Sequence, residues 1–202
     1  MPRTLTSDPA TDTPSTEALA AACRSASRQV AQLSTAAKNR VLEAMADRLQ
    51  AHEDAILDAN ARDLEYAQEH DISAAMIDRL ELDPARIAKM ADALREVAAF
   101  DDPVGRMADV RRRPSGIEVG KMRIPLGVIA MIYESRPNVT ADAAGLCFKA
   151  GNGVVLRGGS EAFHSNHAIA DALHAALGAN DVPPAAITLI PTTDRSAITE
   201  LI

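Results

Sequence analysis

Leu126-Gly127-Val128-Ile129-Ala130-Met131-Ile132-Tyr133 is an unbroken apolar run that starts directly after Pro125. Alternation would mark a strand with one wet face, whereas a continuous run of this length is expected of a strand covered on both faces in a parallel sheet. Val154-Val155-Leu156 and Ile187-Thr188-Leu189-Ile190 repeat the pattern downstream. Between these strands, Thr140 is placed to cap a helix running through Ala150 to Gly151, and Ser160 to cap one reaching Leu177 before Gly178. Thr193-Asp194 opens a further helix that continues to Ile202. The order β-α-β-α-β-α over 126–202 predicts an α/β chain with right-handed crossovers and an open doubly wound sheet, whose ligands bind beyond the carboxyl ends of the strands.

Upstream, residues 105–125 alternate instead. Ile117, Val119, Met122 and Ile124, with Gly116 and Gly120 among them, predict a β-hairpin or ribbon. Residues 16–104 carry helical spacing throughout, starting with the stripe Leu19, Ala22, Cys23, Ala26, Val30 and Leu33. Ser34-Thr35 caps a second helix with Val41, Leu42, Met45 and Leu49 inward, and a third carries Ile56, Leu57, Asn60 and Leu64. Asp71-Ile72-Ser73 begins a short fourth. Asp83-Pro84 sets a capping carboxylate before a first-turn proline, with Ile87, Met90, Ala91, Leu94 and Val97 forming the inner face of a fifth helix. Residues 1–15, rich in Pro, Thr, Ser and Asp, read as a disordered tail without a signal-peptide core.

With 28 acidic and 21 basic residues the net charge is −7, which disfavours a polyanion-binding surface, so no nucleic-acid partner is expected. The one basic run, Arg111-Arg112-Arg113, reads as an exposed turn or strand edge that blocks stray strand pairing. No apolar stretch has the length of a membrane span. Cys23 and Cys147 lack metal or redox spacing, and a reducing cytoplasm is expected. Cys147, among Ala143, Ala144, Leu146 and Phe148, reads as a buried helical residue and not as an activated thiolate. His164 and His167 could share a helix face, with His174 two turns on and His52 and His70 elsewhere, but no carboxylate or cysteine cluster completes a ligand set, so no metal is expected.

The strand-end rule selects three loops for one rim: Tyr133 to Asn138, Arg157 to Ser160, and Pro191 to Asp194. In Arg157-Gly158-Gly159-Ser160, two residues without side chains would let a ligand approach the backbone, Ser160 would start a helix whose free N–H groups favour anions, and Arg157 would offer a planar fork to phosphate. The alternative is a plain turn with an exposed arginine. Glu161 would either repel a phosphate or simply compensate the helix dipole, and the second reading is preferred. Asn138 stands where a strand hands over to a helix. Its amide could donate to a developing oxyanion, or it could be an ordinary turn residue. G-x-G-x-x-G does not occur after any strand, so a dinucleotide would have to bind without that fingerprint.

Taken together, Ile124-Pro125-Leu126-Gly127-Val128-Ile129, Tyr133-Glu134-Ser135-Arg136-Pro137-Asn138-Val139-Thr140, Lys149-Ala150-Gly151-Asn152 and Leu156-Arg157-Gly158-Gly159 resemble the gamma-glutamyl phosphate reductases of the aldehyde dehydrogenase superfamily. Ala59-Asn60, Asp78-Arg79-Leu80 and Asp102-Pro103-Val104-Gly105 extend the resemblance over the helical lead-in. It implies a variant Rossmann cofactor domain, incomplete here, with 16–104 as its helical first part, 105–125 as a hairpin of the oligomer-forming type and 126–202 as the first half of the NADP-binding sheet.

The implied activity is NADPH-dependent reduction of L-glutamyl 5-phosphate to L-glutamate 5-semialdehyde with release of phosphate, a step of proline biosynthesis. A cysteine thiolate displaces phosphate, and hydride then reduces the resulting thioester. That thiolate belongs to a segment with no counterpart in this chain, so the chain is expected to be an N-terminal portion, inactive alone. By position, Arg157 resembles the basic residue meeting the adenosine ribose and its 2'-phosphate, with Gly158, Gly159, Ser160 and Thr193 as further cofactor contacts. Asn138 resembles the oxyanion-hole amide, and Arg136 would hold the acyl phosphate. The resemblance also implies a homo-oligomer at full length and, by pathway, association with glutamate 5-kinase. Two rival readings stand beside it: a stand-alone nucleotide- or partner-binding module without catalysis, and a related dehydrogenase for another aldehyde.

Overall fold

The computed structural model describes residues 14–194 and 199–200. The tail read over 1–15 lies almost wholly outside the described residues, and so does most of the helix expected after Thr193-Asp194. Five helices lead in: α1 (Thr16–Val30), α2 (Thr35–Ala51), α3 (Glu53–Glu69), α4 (Ala74–Leu80) and α5 (Pro84–Ala99). The expected caps operate at two of them, where Ser34 accepts from the N–H of Ala37 and Asp83 accepts from the N–H of Arg86. An antiparallel hairpin of β1 (Met107–Arg112) and β2 (Glu118–Met122) follows. It pairs Met107 with Met122 and Arg112 with Glu118, and an irregularity between Ala108 and Arg111 places Asp109 at a φ of 53°. Every residue of both strands is exposed, so the alternation seen in the sequence faces no core of this chain.

The second sheet is parallel in the order β3-β4-β5, built from β3 (Val128–Ile132), β4 (Gly153–Arg157) and β5 (Ile187–Leu189). Helix α6 (Asn138–Lys149) joins β3 to β4, and α7 (Phe163–Ala179) joins β4 to β5. Only β4 is buried along its whole length. The expectation that β3 is covered on both faces is corrected: it is an edge strand among the described residues, with Ala130 and Ile132 exposed. Its unbroken apolar run therefore points to a surface that no described residue covers.

The pleat of β4 sorts the layers. Val154 and Leu156 face the main core with Leu42, Met45, Leu94, Phe148, Ile169 and Leu173, so α2, α5, α6 and α7 share one interior with the sheet. Val155 faces the other way, against Cys23, and α1 covers that side. Cys23 is fully buried, as the helical stripe predicts.

Two helix starts differ from expectation. Thr140 does not cap α6, which begins at Asn138, because its hydroxyl is buried and donates to Asn166 Oδ1 at 2.9 Å. Ser160 opens a single 3-10 turn (Ser160–Ala162), and α7 begins only at Phe163. The first turn of α7 is capped from a distance by Asp63 of α3, whose carboxylate accepts the N–H groups of His164 and Ser165 and the Ser165 hydroxyl, at 3.0, 2.7 and 2.6 Å. At the other end α7 runs through Gly178 to Ala179, and the left-handed residue is Asp181 at φ 57°.

Candidate active site at the strand ends

Three loops leave the carboxyl ends of β3, β4 and β5, and the chain ties them together. The N–H of Tyr133 donates to Arg157 O at 3.1 Å, so the first two loops leave the sheet side by side. Ser135 Oγ donates to Glu161 Oε2 in a very short contact, and Ser160 Oγ donates to Glu161 Oε1 at 3.1 Å. Arg157 then spans to the third loop, with Nη1 donating to Gly158 O at 2.6 Å and Nη2 to Thr193 O at 2.8 Å. The rim that strand order predicts is thus present, knitted by backbone and side-chain bonds together.

Its chemistry differs from the expected picture in three respects. Arg157 is buried, and both terminal nitrogens serve carbonyl groups of the rim, so its fork is not open to solvent. Its Nε is buried and without a hydrogen-bond partner. Gly158 and Gly159 leave no space for a ligand at the places their side chains would occupy. A Cβ on Gly158 would strike the Asn166 amide and lie 3.1 Å from the Tyr133 ring, and one on Gly159 would strike the Ser135 hydroxyl and lie 2.8 Å from Glu161 Oε2. Glu161 neither points at an anion site nor begins an α-helix. Burial raises its carboxyl pKa, but hydrogen bonds from Ser135, its own backbone and Ser160, with the nearby Arg157 charge, outweigh that and leave it below the ordinary value.

A buried polar chain that the sequence did not reveal supports the first loop. The Thr140 hydroxyl donates to Asn166, so at 2.7 Å Tyr133 Oη must be the donor to Thr140 Oγ1. Burial pushes the Tyr133 phenol up to about 12, although its bond to Thr140 works in the opposite direction. Tyr133, Thr140 and Asn166 sit on three different elements, and no spacing rule joins them.

Two depressions flank the rim. A crevice of about 10 Å³, the size of one water, lies between Gly158, Gly159, Phe163, His167 and Thr193. On the other side a cleft of about 390 Å³ is lined by Arg79, Arg86, Lys89, Arg136, Asn138 and Asp142, among others. The predicted residues therefore divide: Gly158, Gly159 and Thr193 border the crevice, while Arg136 and Asn138 border the cleft. The Asn138 amide donates to Asp142 Oδ2 at 2.9 Å, and burial raises the Asp142 carboxyl against the pull of that bond. Arg136 Nε lies 2.6 Å from Glu134 Oε1.

Cys147 is buried, and burial first, then the neighbouring Cys23, pushes its thiol up to about 11. His164, His167 and His52 line a third depression with Arg62 and Asp171, and His174 Nε2 lies 2.6 Å from Ile187 O. Among the described residues no three His, Cys, Asp or Glu side chains gather to hold a metal ion, and no helix is long and apolar enough to cross a membrane.

The fold, a parallel sheet without the glycine fingerprint joined to a helical lead-in and a hairpin, is that of the aldehyde dehydrogenases. The family model described as "Aldehyde dehydrogenase family" matches residues 3–202, and the chain belongs to that family. Within it, the chain is 65% identical over 196 residues to the gamma-glutamyl phosphate reductase of Salinibacter ruber, covering 97% of this chain and 45% of the relative. The crystal structure of gamma-glutamyl phosphate reductase from Thermotoga maritima superposes with a TM-score of 0.89 at 37% identity, over 93% of this chain and 45% of that one. The Saccharomyces cerevisiae structure of that name gives 0.83 at 28% identity, over 90% and 47%. The chain spans less than half the length of these relatives.

Proposed function

We propose that the protein to which this chain contributes reduces L-glutamyl 5-phosphate to L-glutamate 5-semialdehyde with NADPH, releasing inorganic phosphate, in the cytoplasm as a step of proline biosynthesis. The observation that carries this reading is the 65% identity over 196 residues with a protein of that name. The rim fits a phosphorylated cofactor in one specific respect: the buried, partnerless Arg157 Nε is a cationic donor awaiting an acceptor. In this reading Arg157, Gly158, Gly159, Ser160 and Thr193 hold the adenosine end of NADPH, which supplies the hydride when bound. Asn138 turns its amide from Asp142 to the substrate's carbonyl oxygen, and Arg136 holds the phosphate.

The attacking sulfur comes from elsewhere in the protein. Cys147 is shut in the core with a thiol pKa near 11, and burial raises Cys23 as well, so neither provides a thiolate at neutral pH. The hairpin, exposed on both strands, serves as an arm between copies, with Met107, Val110, Val119 and Met122 as its apolar contacts.

The test pairs the whole protein with glutamyl phosphate generated in place by a kinase. Loss of nicotinamide absorbance matched by phosphate release is expected, with NADPH preferred over NADH and the preference erased by Arg157→Ala. No oxidation of either nucleotide by well-folded protein would sink the proposal. This chain alone is expected to show no turnover, and a rate abolished by Cys147→Ser would overturn the view of that thiol.

A further inference from the structure

The cleft beside Asn138 is bordered by cations that the cofactor rim does not use. Arg86 is engaged with its own neighbours, donating to the carbonyls of Asp78 and Glu81 at 2.5 and 2.6 Å and pairing with Asp78. Arg79 of α4 and Arg136 of the β3–α6 loop converge instead on a single carboxylate, Glu134, at 3.6 and 2.6 Å. Two guanidinium groups thus share one carboxylate, in a cleft that Asp78, Glu81 and Asp142 also line. The Arg79 contact is long, and the two side chains are 48% and 58% exposed, which makes the pair easy to open.

We propose that Glu134 is a resident placeholder, closing the Arg79–Arg136 pair at rest and yielding it to the phosphoryl group of the substrate. This rests on the acyl phosphate reading of the preceding section and adds Arg79 and Glu134 to it. A phosphoryl dianion matches the pair charge for charge and presents several oxygens to two planar forks, which a single carboxylate does less well. Position agrees with charge. In an acyl phosphate the phosphoryl oxygen is bonded to the carbonyl carbon itself, and Arg136 precedes the proposed carbonyl donor Asn138 by two residues on the wall of the same cleft. When inorganic phosphate departs, return of Glu134 closes the pair again and opposes rebinding.

The experiment titrates the chain with inorganic phosphate at fixed ionic strength and follows the Nε–Hε signals of its arginines and the backbone amides of 134–136 by NMR. Wild type is expected to bind weakly. Glu134→Gln, which removes the competitor, should bind at least roughly threefold more tightly, because apparent affinity scales with the fraction of the pair that is open. Arg79→Gln and Arg136→Gln should each lose most of the binding, and Glu134→Asp, with a shorter reach, should fall between wild type and Glu134→Gln. Phosphate affinity unchanged or weakened in both Glu134 variants, or unchanged in Arg79→Gln, overturns the proposal. The two readings fail separately: a whole protein that turns over while Glu134→Gln leaves phosphate affinity unmoved discards the placeholder alone, whereas absent turnover with a responsive clamp discards the reductase reading.

Discussion

Asp63 Oδ2 accepts the backbone N–H of Ser165 at 2.7 Å across 102 positions of chain, so a residue in the middle of α3 caps a helix on the far side of the hairpin. Helix α7 has no side-chain cap of its own, and Asp63 is 2% exposed. Asp63→Ala would strand two N–H groups and a hydroxyl in the interior, at a cost of about 3 kcal/mol. Asp63→Asn keeps an acceptor and should cost less. Urea denaturation followed by circular dichroism separates the two.

Lys38 is fully buried and its Nζ lies 2.9 Å from Asp102 Oδ2, joining α2 to the segment after α5. Burial raises the Asp102 carboxyl, but hydrogen bonds from Lys38, the Val104 N–H and Thr35 overcome it, and the folded-state pKa lies below the ordinary value. A group depressed in the folded state stabilises above its unfolded pKa, and that contribution disappears as pH falls through the folded value. Stability measured from neutral pH downward should therefore drop at and below the ordinary aspartate range, and Asp102→Asn should flatten that drop. At neutral pH Asp102→Ala should cost about 3 kcal/mol by leaving the Lys38 charge buried and unpaired.

Two glycines should respond oppositely to alanine. At Gly158 the new methyl would collide with the Asn166 amide and crowd Tyr133, so Gly158→Ala is expected to destabilise by about 2 kcal/mol and to disturb the rim. Gly178 is helical and meets nothing within 4 Å, so Gly178→Ala should stabilise by up to about 1 kcal/mol. Thermal melts of both variants beside wild type measure the contrast.

Both thiols should resist modification in the folded chain. Burial raises Cys23 and holds Cys147 near 11, so a disulfide reagent at mildly alkaline pH should react slowly until denaturant is added and then titrate both at once. Fast labelling of Cys147 in native protein would contradict its place on the buried face of α6.

What the sequence disclosed was local. The stripes through Cys23, Met45 and Leu94, the caps at Ser34 and Asp83 and the left-handed Gly151 all follow from spacing within one element, and each stands where spacing puts it. What spacing does not disclose is the engagement of residues whose partners lie far along the chain. Ser160 resembled a cap because nothing nearby shows that Asp63 already fills that role. Gly158 and Gly159 suggested room for a ligand because their neighbours Asn166 and Ser135 approach only through the fold. Arg157 offered a free fork until the Thr193 carbonyl came within reach. The loops of the site could be foreseen from strand order, but not how their side chains are already engaged.

The position of α1 bears on how the protein is made. Cys23 meets the Ala186 carbonyl across 163 residues, and the buried neighbours Val155 and Ile190 also lie far downstream of it. A ribosome delivers this helix long before its resting place. Until then its greasy side has nothing native to lie against, so the nascent polypeptide offers chaperones and proteases an early handle that vanishes once β4 and β5 emerge.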